Sequence, residues 1–399
     1  MIKVHNKVLN RTVEVGRIIA KIEGEKPGPT VVFFGGIHGN ENTGLLALHQ
    51  VGEELSPIRA NIKGNIYAIS GNLCALEKGT RFCAEDLNRI WTSDAIKDLQ
   101  NGFDNQLINE KKEQYEIYKT IHDIIEEEEG PFYFMDLHTT SSESIPFVIV
   151  NDSLLNRRFA EQFPVPMILG VEEYLEGPIL SYINEMGYVS FGYEAGQHDD
   201  PAAFQNQLAF IYLSLAFAGS VDKELIEYYH YYEQLAKTSA TSRDIFEISF
   251  RFEIKDGQEF QMKPGFVNFQ KVKKGQEMAT LSGKTILASN SGRVFMPLYQ
   301  NQGKEGFFEI KKVHPFFLRL SAVLRKTKLA HLLPFLPGIR WKSAEHDAMV
   351  VNLNVARFLA KPFLHLLGYR SKHLDKNHLV IKNREAASKA DEYQTEWNK

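Results

Sequence analysis

The sequence contains little cysteine and no long uninterrupted apolar run. Among its 399 residues only Cys74 and Cys83 are cysteines, too few for a disulfide framework, and this scarcity fits a reducing compartment. The most apolar long stretch, residues 208–221, has fourteen residues, fewer than the roughly 20 needed to cross a bilayer, so we expect a buried helix there. The N-terminus lacks the apolar core of a secretory signal. These absences indicate a globular protein and make the cytoplasm its expected location.

The chain also lacks a strong excess of charge of either sign. Lys plus Arg number 46 and Asp plus Glu number 50, a net charge of −4, so whole-chain electrostatics predicts no nucleic-acid partner. The distribution is uneven, because residues 311–399 carry a net charge of +10 and residues 1–310 a net charge of −14. Such a basic, partly apolar tail can adsorb to an anionic membrane surface. We prefer packing on the acidic body of the same chain, or on a second copy in a homo-oligomer, because the charges are complementary.

Strand-like and helix-like segments alternate through residue 220, which is typical of α/β proteins. β-branched and aromatic runs predict buried strands at residues 31–36, 64–70, 131–138 and 146–150. The sequence therefore predicts a mostly parallel or mixed sheet flanked by helices.

The pattern changes twice after this first region. From about residue 245, short strands are separated by glycine-containing turns, which predicts a small all-β domain. After residue 311 helical patterns return, with apolar and basic residues interleaved. We predict an α/β catalytic domain at 1–240, a β domain at 241–311, and a basic, partly helical C-terminal extension at 312–399.

A glycine-rich turn follows the first confident strand and contains a candidate pair of metal ligands. In the sequence GGIHGNENTG, His38 and Glu41 are three residues apart. A third candidate, His138, ends the strand at 131–138, and Asp136 precedes it on the same strand face. Two histidines and a glutamate leave one tetrahedral position open for water, which is typical of catalytic zinc. These residues predict one Zn²⁺ ion per chain.

Plainer interpretations exist for each of these residues. A single histidine beside a strand end is usually a surface or satisfied polar residue, and Asp136 can cap its strand without touching a metal ligand. Its functional interpretation is a partner that orients a ligating histidine. Because both metal elements follow strands of a predicted α/β sheet, where such sheets build their sites, the metal interpretation is favoured.

Two further segments contain candidate substrate-binding and catalytic residues. The segment TRFCAEDLNRIW contains Arg81, Asn88 and Arg89, which suit a substrate carboxylate or carbonyl, although a salt bridge to Glu85 or Asp86 is the alternative. Farther along, Glu194 follows a short apolar stretch. A carboxylate beside a metal-bound water can take its proton and pass it to a leaving nitrogen.

The motifs GxHGxE, RxxxxDLNR, DLH and ExG occur in this order, and together they resemble the succinylglutamate desuccinylase/aspartoacylase family of zinc carboxypeptidase-like hydrolases. The resemblance covers roughly residues 25–310. It implies cleavage of a small N-acyl amino acid and a carboxypeptidase-like α/β domain followed by a β domain. It implies zinc held by His38, Glu41 and His138, substrate or oxyanion contacts from Arg81, Asn88 and Arg89, and Glu194 as general base and then acid.

The sequence departs from the family pattern before Glu194. Aspartoacylase-like members have a substrate-binding arginine about ten residues upstream, and the stretch YINEMGYVSFGYE has none. This departure argues against N-acetylaspartate as the substrate. The family also implies a tyrosine that reaches the active site from the β domain, for which Tyr299 is the candidate.

Two other functions remain open at this point. A zinc carboxypeptidase acting on peptides would need the same residues, although no secretion signal supports it. A non-catalytic binding module could use the same pocket, but the presence of three ligand types and a candidate base argues against it.

Overall fold

A computed structural model describes residues 1–102, 108–342, 348–355, 361–373 and 377–393. The strands are β1 Ile2–Asn6, β2 Arg11–Val15, β3 Ile18–Glu23, β4 Lys26–Gly35, β5 Lys63–Ser70, β6 Phe132–Thr140, β7 Phe147–Val150, β8 Met167–Leu169, β9 Val189–Gln197, β10 Ile245–Glu253, β11 Phe260–Met262, β12 Lys271–Val272, β13 Glu277–Leu281, β14 Lys284–Leu287, β15 Gly292–Phe295, β16 Glu305–Lys312, β17 Ile339–Trp341, β18 Ala348–Asn352, β19 Tyr369–His373 and β20 His378–Asn383. The α-helices are α1 Thr43–Leu55, α2 Leu73–Lys78, α3 Ser93–Gln100, α4 Asn109–Glu127, α5 Leu154–Ala160, α6 Ile179–Glu185, α7 Pro201–Ala218, α8 Tyr228–Thr238, α9 Pro315–Arg325 and α10 Lys361–Leu366.

One large mixed sheet organises the molecule. Its strand order is β12-β15-β16-β10-β8-β7-β9-β6-β4-β5-β3. Strands β5, β4, β6 and β9 run parallel to one another, so their carboxyl ends share one edge of the sheet. The four predicted strands correspond to β4, β5, β6 and β7, and the predicted mixed α/β fold is confirmed. Open α/β sheets place ligand sites beyond the carboxyl ends of such strands.

Helices cover both faces of the central strands, which explains why those strands are apolar throughout rather than alternating. On one face Phe33 packs with residues of α1 and α7, and on the other Phe34 packs with Ile121 of α4. All nine residues of β6 are buried. The predicted buried helix is α7, which begins earlier than the apolar run and ends at Ala218. Within the described ranges, no helix combines the length and apolarity needed to span a membrane.

The predicted short strands after residue 245 are present, and several of them extend the main sheet. Strand β10 pairs in parallel with β8 and antiparallel with β16, which pairs in turn with β15. Strands β11, β13 and β14 form a separate small sheet. The β region is therefore continuous with the catalytic region through β8 and β10, and the predicted boundaries at 240 and 311 stay predictions.

The C-terminal extension contains more β-structure than the sequence indicates. Besides α9 and α10 it forms a four-stranded antiparallel sheet with the order β17-β18-β20-β19. It packs on the body of the chain through buried ion pairs, in which Arg325 and Arg384 each lie 2.8 Å from Asp152 Oδ2. Residues 343–347, 356–360, 374–376 and 394–399 of the predicted extension lie outside the described residues.

The two cysteines are paired, which corrects the expectation of reduced thiols. Cys74 of α2 and Cys83 of the following loop form a disulfide. They are nine positions apart, and α2 ends in a left-handed Gly79 that turns the chain back toward its own helix. The disulfide therefore connects α2 to the start of the arginine-containing segment, which is the stretch TRFCAEDLNRIW with Arg81 and Arg89.

Candidate metal centre and active site

His38, Glu41 and His138 lie together at the carboxyl edge of the sheet. His38 and Glu41 occupy the loop between β4 and α1, and His138 lies near the end of the neighbouring parallel strand β6. Their exposed fractions are only 4%, 3% and 8%. One potential ligand atom from each residue lies within 4.8 Å of the others. The structure thus brings together the three residues that the sequence predicts as ligands.

The carboxylate of Glu41 lies between the two imidazoles. Its Oε1 is 3.0 Å from His38 Nδ1, and its Oε2 is 2.9 Å from His138 Nδ1. The backbone N–H of Thr139 donates to the same Oε2 at 3.1 Å. Burial raises the pKa of Glu41, but the flanking imidazoles outweigh that effect and hold it well below its usual range. The carboxylate is therefore ionised and available as a ligand.

Each imidazole has a second carboxylate on its other ring nitrogen. Asp136, which is predicted to orient a ligating histidine, has its Oδ2 2.6 Å from His138 Nε2. Asp86 Oδ1 is 3.1 Å from His38 Nε2. From the sequence Asp86 is expected only as a salt-bridge partner, although its place in the motif RxxxxDLNR is a signal for a role at the site. Carboxylates in these positions fix the ring orientation and tautomer of metal-binding histidines.

The chemistry of this donor set fits a metal ion. Two imidazole nitrogens and one carboxylate oxygen are the donors of a three-residue catalytic zinc site, and the two outer carboxylates complete its usual surroundings. Three carboxylates, Glu41, Asp86 and Asp136, contact the two histidines. Arg81 lies 3.0 Å from Asp86 and 3.4 Å from Glu41 and so offsets part of their charge. A divalent cation would balance the rest.

Glu194 lies beside the metal-ligand group on β9. It is the register partner of His138 on β6, so both side chains project from the same face of the sheet. Its exposed fraction is 4%, and its Oε2 has no hydrogen-bond partner among the described residues. Burial raises the pKa of Glu194 to about 8. A carboxyl group with a raised pKa in a buried site is typical of a residue that takes up and releases a proton.

The predicted substrate-binding segment also reaches this site, and two of its residues are engaged by carboxylates. Arg81 donates to Asp86 Oδ2 through Nη2 at 3.0 Å and through Nε at 3.2 Å, which is the salt bridge that the sequence left as an alternative. Arg89 pairs with Glu305 at the start of β16. Asn88 lines the cavity, and its Oδ1 accepts a hydrogen bond from Ile179 N at 3.0 Å.

Glu110, which the sequence analysis did not single out, holds the arginine-containing segment in place. Its carboxylate is fully buried and accepts hydrogen bonds from the backbone N–H groups of Cys83 at 2.6 Å and Ala84 at 3.0 Å. Asn72, the N-cap residue of α2, donates to Glu110 Oε1 at 2.9 Å. Burial raises the pKa of Glu110, and these donors more than offset that effect.

Tyr299 does not reach the site as the resemblance implies. Its hydroxyl donates to the carbonyl oxygen of Lys263 at 2.8 Å and accepts from the N–H of Phe266 at 3.0 Å. Its side chain is 39% exposed, and it is not among the described residues that line the cavity. From the β region, Leu298 and Glu305 line the cavity instead.

A cavity of about 140 Å³ opens beside these residues. Its polar end contains His38, Glu41, His138, Arg81, Asn88, Arg89 and Glu194, and the rest of its wall is mainly apolar. The fold and the cavity together define an α/β protein with a buried His-Glu-His group and an adjacent carboxylate in a small, partly enclosed site.

Comparison with known proteins identifies the family. A family model described as the succinylglutamate desuccinylase/aspartoacylase catalytic domain matches residues 27–218. Residues 27–218, just under half of the chain, are therefore similar to the catalytic domain of this family, as the motifs predict. The family comprises deacylating hydrolases, and all of the residues discussed above from His38 to Glu194 lie inside the match.

Individual relatives agree with this assignment. A probable aspartoacylase from Acaryochloris marina (strain MBIC 11017) is 27% identical over 170 residues, which cover 40% of this chain and 52% of the relative, so the chain spans about half the length of that curated protein. Succinylglutamate desuccinylase from Vibrio parahaemolyticus has a TM-score of 0.55 at 13% identity, covering 74% of this chain and 86% of the other. A succinylglutamate desuccinylase/aspartoacylase from Rhodobacter sphaeroides has a TM-score of 0.56 at 16% identity, covering 73% and 88%. At these identities the solved structures establish a shared fold.

Proposed function

We propose that this protein is a zinc-dependent amidohydrolase that cleaves the amide bond of a small N-acyl amino acid. The observation that carries the proposal is the convergence of His38, Glu41 and His138 beside the buried carboxyl group of Glu194. The names of its relatives, desuccinylase and aspartoacylase, support a deacylating reaction.

His38, Glu41 and His138 would hold one zinc ion per chain, with Asp86 and Asp136 fixing the two imidazoles. When bound, zinc supplies a Lewis acid that polarises a carbonyl and lowers the pKa of a bound water toward about 7. The burial of all three ligands limits competition from bulk solvent and keeps the local dielectric low.

Glu194 acts as the proton carrier. In its ionised form it accepts, at Oε2, the proton that a water molecule gives up as the water oxygen bonds to the amide carbonyl carbon; Oε2 is the oxygen left without a hydrogen-bond partner in the described structure. It then donates that proton to the leaving nitrogen of the amide, which would otherwise depart as an unstable anion. Its raised pKa suits both steps, because the same group must act as base and then as acid near neutral pH.

The segment from Arg81 to Arg89 supplies the groups that bind substrate oxygen atoms. Asn88 offers its side-chain N–H groups at the cavity wall, and Arg89 offers guanidinium donors beside it. Preorganised donors of this kind stabilise the charge that develops on the carbonyl oxygen, and removing one typically costs about 3 to 4 kcal/mol. Arg81 binds Asp86 and so also holds the carboxylate that orients His38.

Metal analysis combined with a substrate screen tests this proposal. We expect about one zinc ion per chain in the purified protein, loss of zinc in His38→Ala and His138→Ala, and hydrolysis of at least one N-acetyl or N-succinyl amino acid. Release of amino acids from peptides but from no N-acyl amino acid would instead identify a carboxypeptidase. A folded protein that binds no zinc after gentle purification would be a non-catalytic binding module.

A further inference from the structure

The sheet face that contains His138 and Glu194 becomes apolar as it continues away from the metal ligands. Gly192 lies two residues before Glu194 on β9 and therefore on the same face. Its register partner on β7 is Ile149, and Ile149 pairs in turn with Ile168 on β8. Ile168 pairs with Phe246 on β10. The metal-ligand residues thus lie beside a continuous apolar surface that neighbouring strands form.

The same apolar surface extends through the β region and forms part of the cavity. Ile248 follows Phe246 on β10 at a spacing of two, and its register partner on β16 is Ile310. Phe308 lies two residues before Ile310 and pairs with Phe295 of β15. Ile149, Ile248, Phe295 and Phe308 all line the cavity that contains Glu194. A ligand with one end at the metal ligands would place its other end against these side chains.

Gly192 lies where the polar end of the cavity meets its apolar end, and its lack of a side chain makes the cavity deeper there. A Cβ atom added there would lie 3.5 Å from Leu180 Cδ1 and 3.9 Å from Ile149 Cβ, which are ordinary contact distances. The backbone at Gly192 also has no positive φ that would require glycine. The absence of a side chain at this position therefore leaves space for a ligand and is not needed for the backbone conformation.

The positive charges at the cavity are already matched by carboxylates. Arg81 and Arg89 are the arginine or lysine residues among the described residues that line it. Arg81 binds Asp86, and Arg89 binds Glu305 through two hydrogen bonds of 3.3 and 3.2 Å. A second substrate carboxylate at the apolar end would have no counter-charge and would lie near Glu194 and Glu305. Burying an unpaired charge in such surroundings is strongly unfavourable.

From these observations we infer that the cavity beyond Glu194 receives an uncharged apolar group of the substrate, either an aliphatic or an aromatic side chain or an apolar acyl chain. The inference rests on the proposed amide hydrolysis and specifies its substrate class. The preferred substrates are N-acyl amino acids in which an apolar group takes the place of the second carboxylate of N-acetylaspartate or N-succinylglutamate.

A matched substrate panel tests this inference with the zinc-loaded full-length protein. The apolar arms are N-acetyl-leucine, which carries the apolar group on the amino acid, and N-hexanoylglycine, which carries it on the acyl chain. The acidic arms are N-acetylaspartate and N-succinylglutamate, and N-acetylglycine is the small reference. We expect at least about a tenfold higher kcat/KM for one apolar arm than for both acidic arms. The arm that is preferred identifies which end of the substrate enters the cavity.

Two variants connect the preference to the cavity. Gly192→Val should lower kcat/KM for the preferred apolar substrate at least about tenfold while N-acetylglycine, which does not fill the cavity, is affected less. Leu175→Arg places a cation at the half-buried cavity wall and should reduce the preference for apolar over acidic substrates. Leu225→Arg is the matched control, because Leu225 is 41% exposed and does not line the cavity. Zinc content and thermal unfolding of each variant establish that it is folded.

Failure of this inference and failure of the proposed function give different results. Equal or higher kcat/KM for the acidic arms would overturn the apolar preference and leave the hydrolase intact. If the zinc-loaded protein hydrolyses none of the substrates in the panel, the proposed function is overturned. In that case calorimetric titration of N-acetyl-leucine and N-acetylaspartate tests the inference separately. Binding of the apolar group predicts that N-acetyl-leucine associates more tightly and with a negative heat-capacity change.

Discussion

Arg89 and Glu305 are joined by two hydrogen bonds although they are 216 positions apart in the chain. Arg89 ends the segment that the family motif identifies, and Glu305 begins β16 in the β region. The side chains are mostly buried, with exposed fractions of 25% and 14%. Their pairing means that the β region controls the charge that one of the two cavity arginines can offer to a substrate.

Removing the charge of Glu305 should change substrate preference. In Glu305→Gln the guanidinium of Arg89 keeps a hydrogen-bond acceptor but loses its matching carboxylate, so it can bind a second substrate carboxylate. We expect kcat/KM for N-acetylaspartate to rise about tenfold relative to the wild type, as measured in steady-state assays. Glu253→Gln is the control, because Glu253 is the register partner of Glu305 and its side chain is 55% exposed. An unchanged ratio of acidic to apolar activity would show that Glu305 does not mask Arg89.

Replacing Glu194 should separate metal binding from turnover. Glu194→Gln removes the proton carrier but none of the three metal ligands, so we expect wild-type zinc content and a loss of roughly 10²- to 10⁴-fold in kcat. Zinc quantification and single-turnover kinetics measure the two effects independently. Wild-type turnover in a zinc-loaded variant would remove Glu194 from the mechanism.

The pH dependence should report the ionisation of the same residue. Burial raises the pKa of Glu194 to about 8, and a bound divalent cation lowers it from that value because it stabilises the ionised form. Since the ionised form accepts the proton, kcat/KM should rise with pH through an acidic limb whose midpoint lies below about 8. The residual rate of Glu194→Gln should lack this limb. A wild-type profile that falls as pH rises across this range would contradict the assignment.

Loss of the Glu110 carboxylate should loosen the substrate-binding segment. Glu110→Ala leaves the backbone N–H groups of Cys83 and Ala84 without their acceptor, and a buried unsatisfied donor costs about 1 to 3 kcal/mol. We expect lower stability to denaturant and a larger effect on KM than on zinc content. Glu127→Ala on the same helix is the control, because that residue is exposed at the C-terminal end of α4. Equal effects of the two substitutions would show that the Glu110 contacts are not needed for substrate binding.

The ion-pair cluster beneath the C-terminal extension should govern its attachment. Asp152→Asn leaves the buried guanidinium groups of Arg325 and Arg384 without their shared carboxylate, and breaking such a cluster typically costs about 3 to 5 kcal/mol. We expect earlier unfolding of the extension, detected by limited proteolysis and denaturant titration. Asp94→Asn, on an exposed carboxylate, provides the comparison.

The same cluster predicts how stability responds to acid. Arg157 also pairs with Asp152, and together with Arg325 and Arg384 it outweighs the effect of burial and holds the pKa of the Asp152 carboxyl below its ordinary value. Its contribution to stability is therefore present above the unfolded pKa of about 3.9 and is lost as pH falls below that value. The difference in unfolding free energy between wild type and Asp152→Asn should shrink below about pH 4. A difference that stays constant with pH would contradict this assignment.

The convergence of His38, Glu41 and His138 is accessible from the sequence because adjacent parallel strands end at a common edge. Strong apolar runs identify β4 and β6, and the polar residues that follow each run must then lie close together. The place of Asp136 can be predicted in the same way, since residues two apart on a strand lie on the same face. The mixed α/β fold follows from the same runs.

Other parts of the site depend on contacts that no local pattern contains. Glu110 lies in the first turn of α4, whose first residues are strongly polar, so its burial against the segment that begins at Cys83 is visible only in three dimensions. The pairing of Arg89 with Glu305 requires the β region to fold back onto the motif. The sheet in the extension does not follow from the sequence pattern, because its strands are only three to six residues long and α9 and α10 lie in the same region.

Tyr393, the last residue that the structure describes, is buried, and its contacts bear on how the protein should be prepared for assays. Its buried hydroxyl donates to the carbonyl oxygen of Phe132 and accepts from the N–H of Val189, the first residues of β6 and β9. These are the strands whose opposite ends contain His138 and Glu194. Removing the C-terminal extension, and Tyr393 with it, would leave a hole at the base of both strands, so activity measurements require the intact C-terminal region and favour an affinity tag at the other terminus.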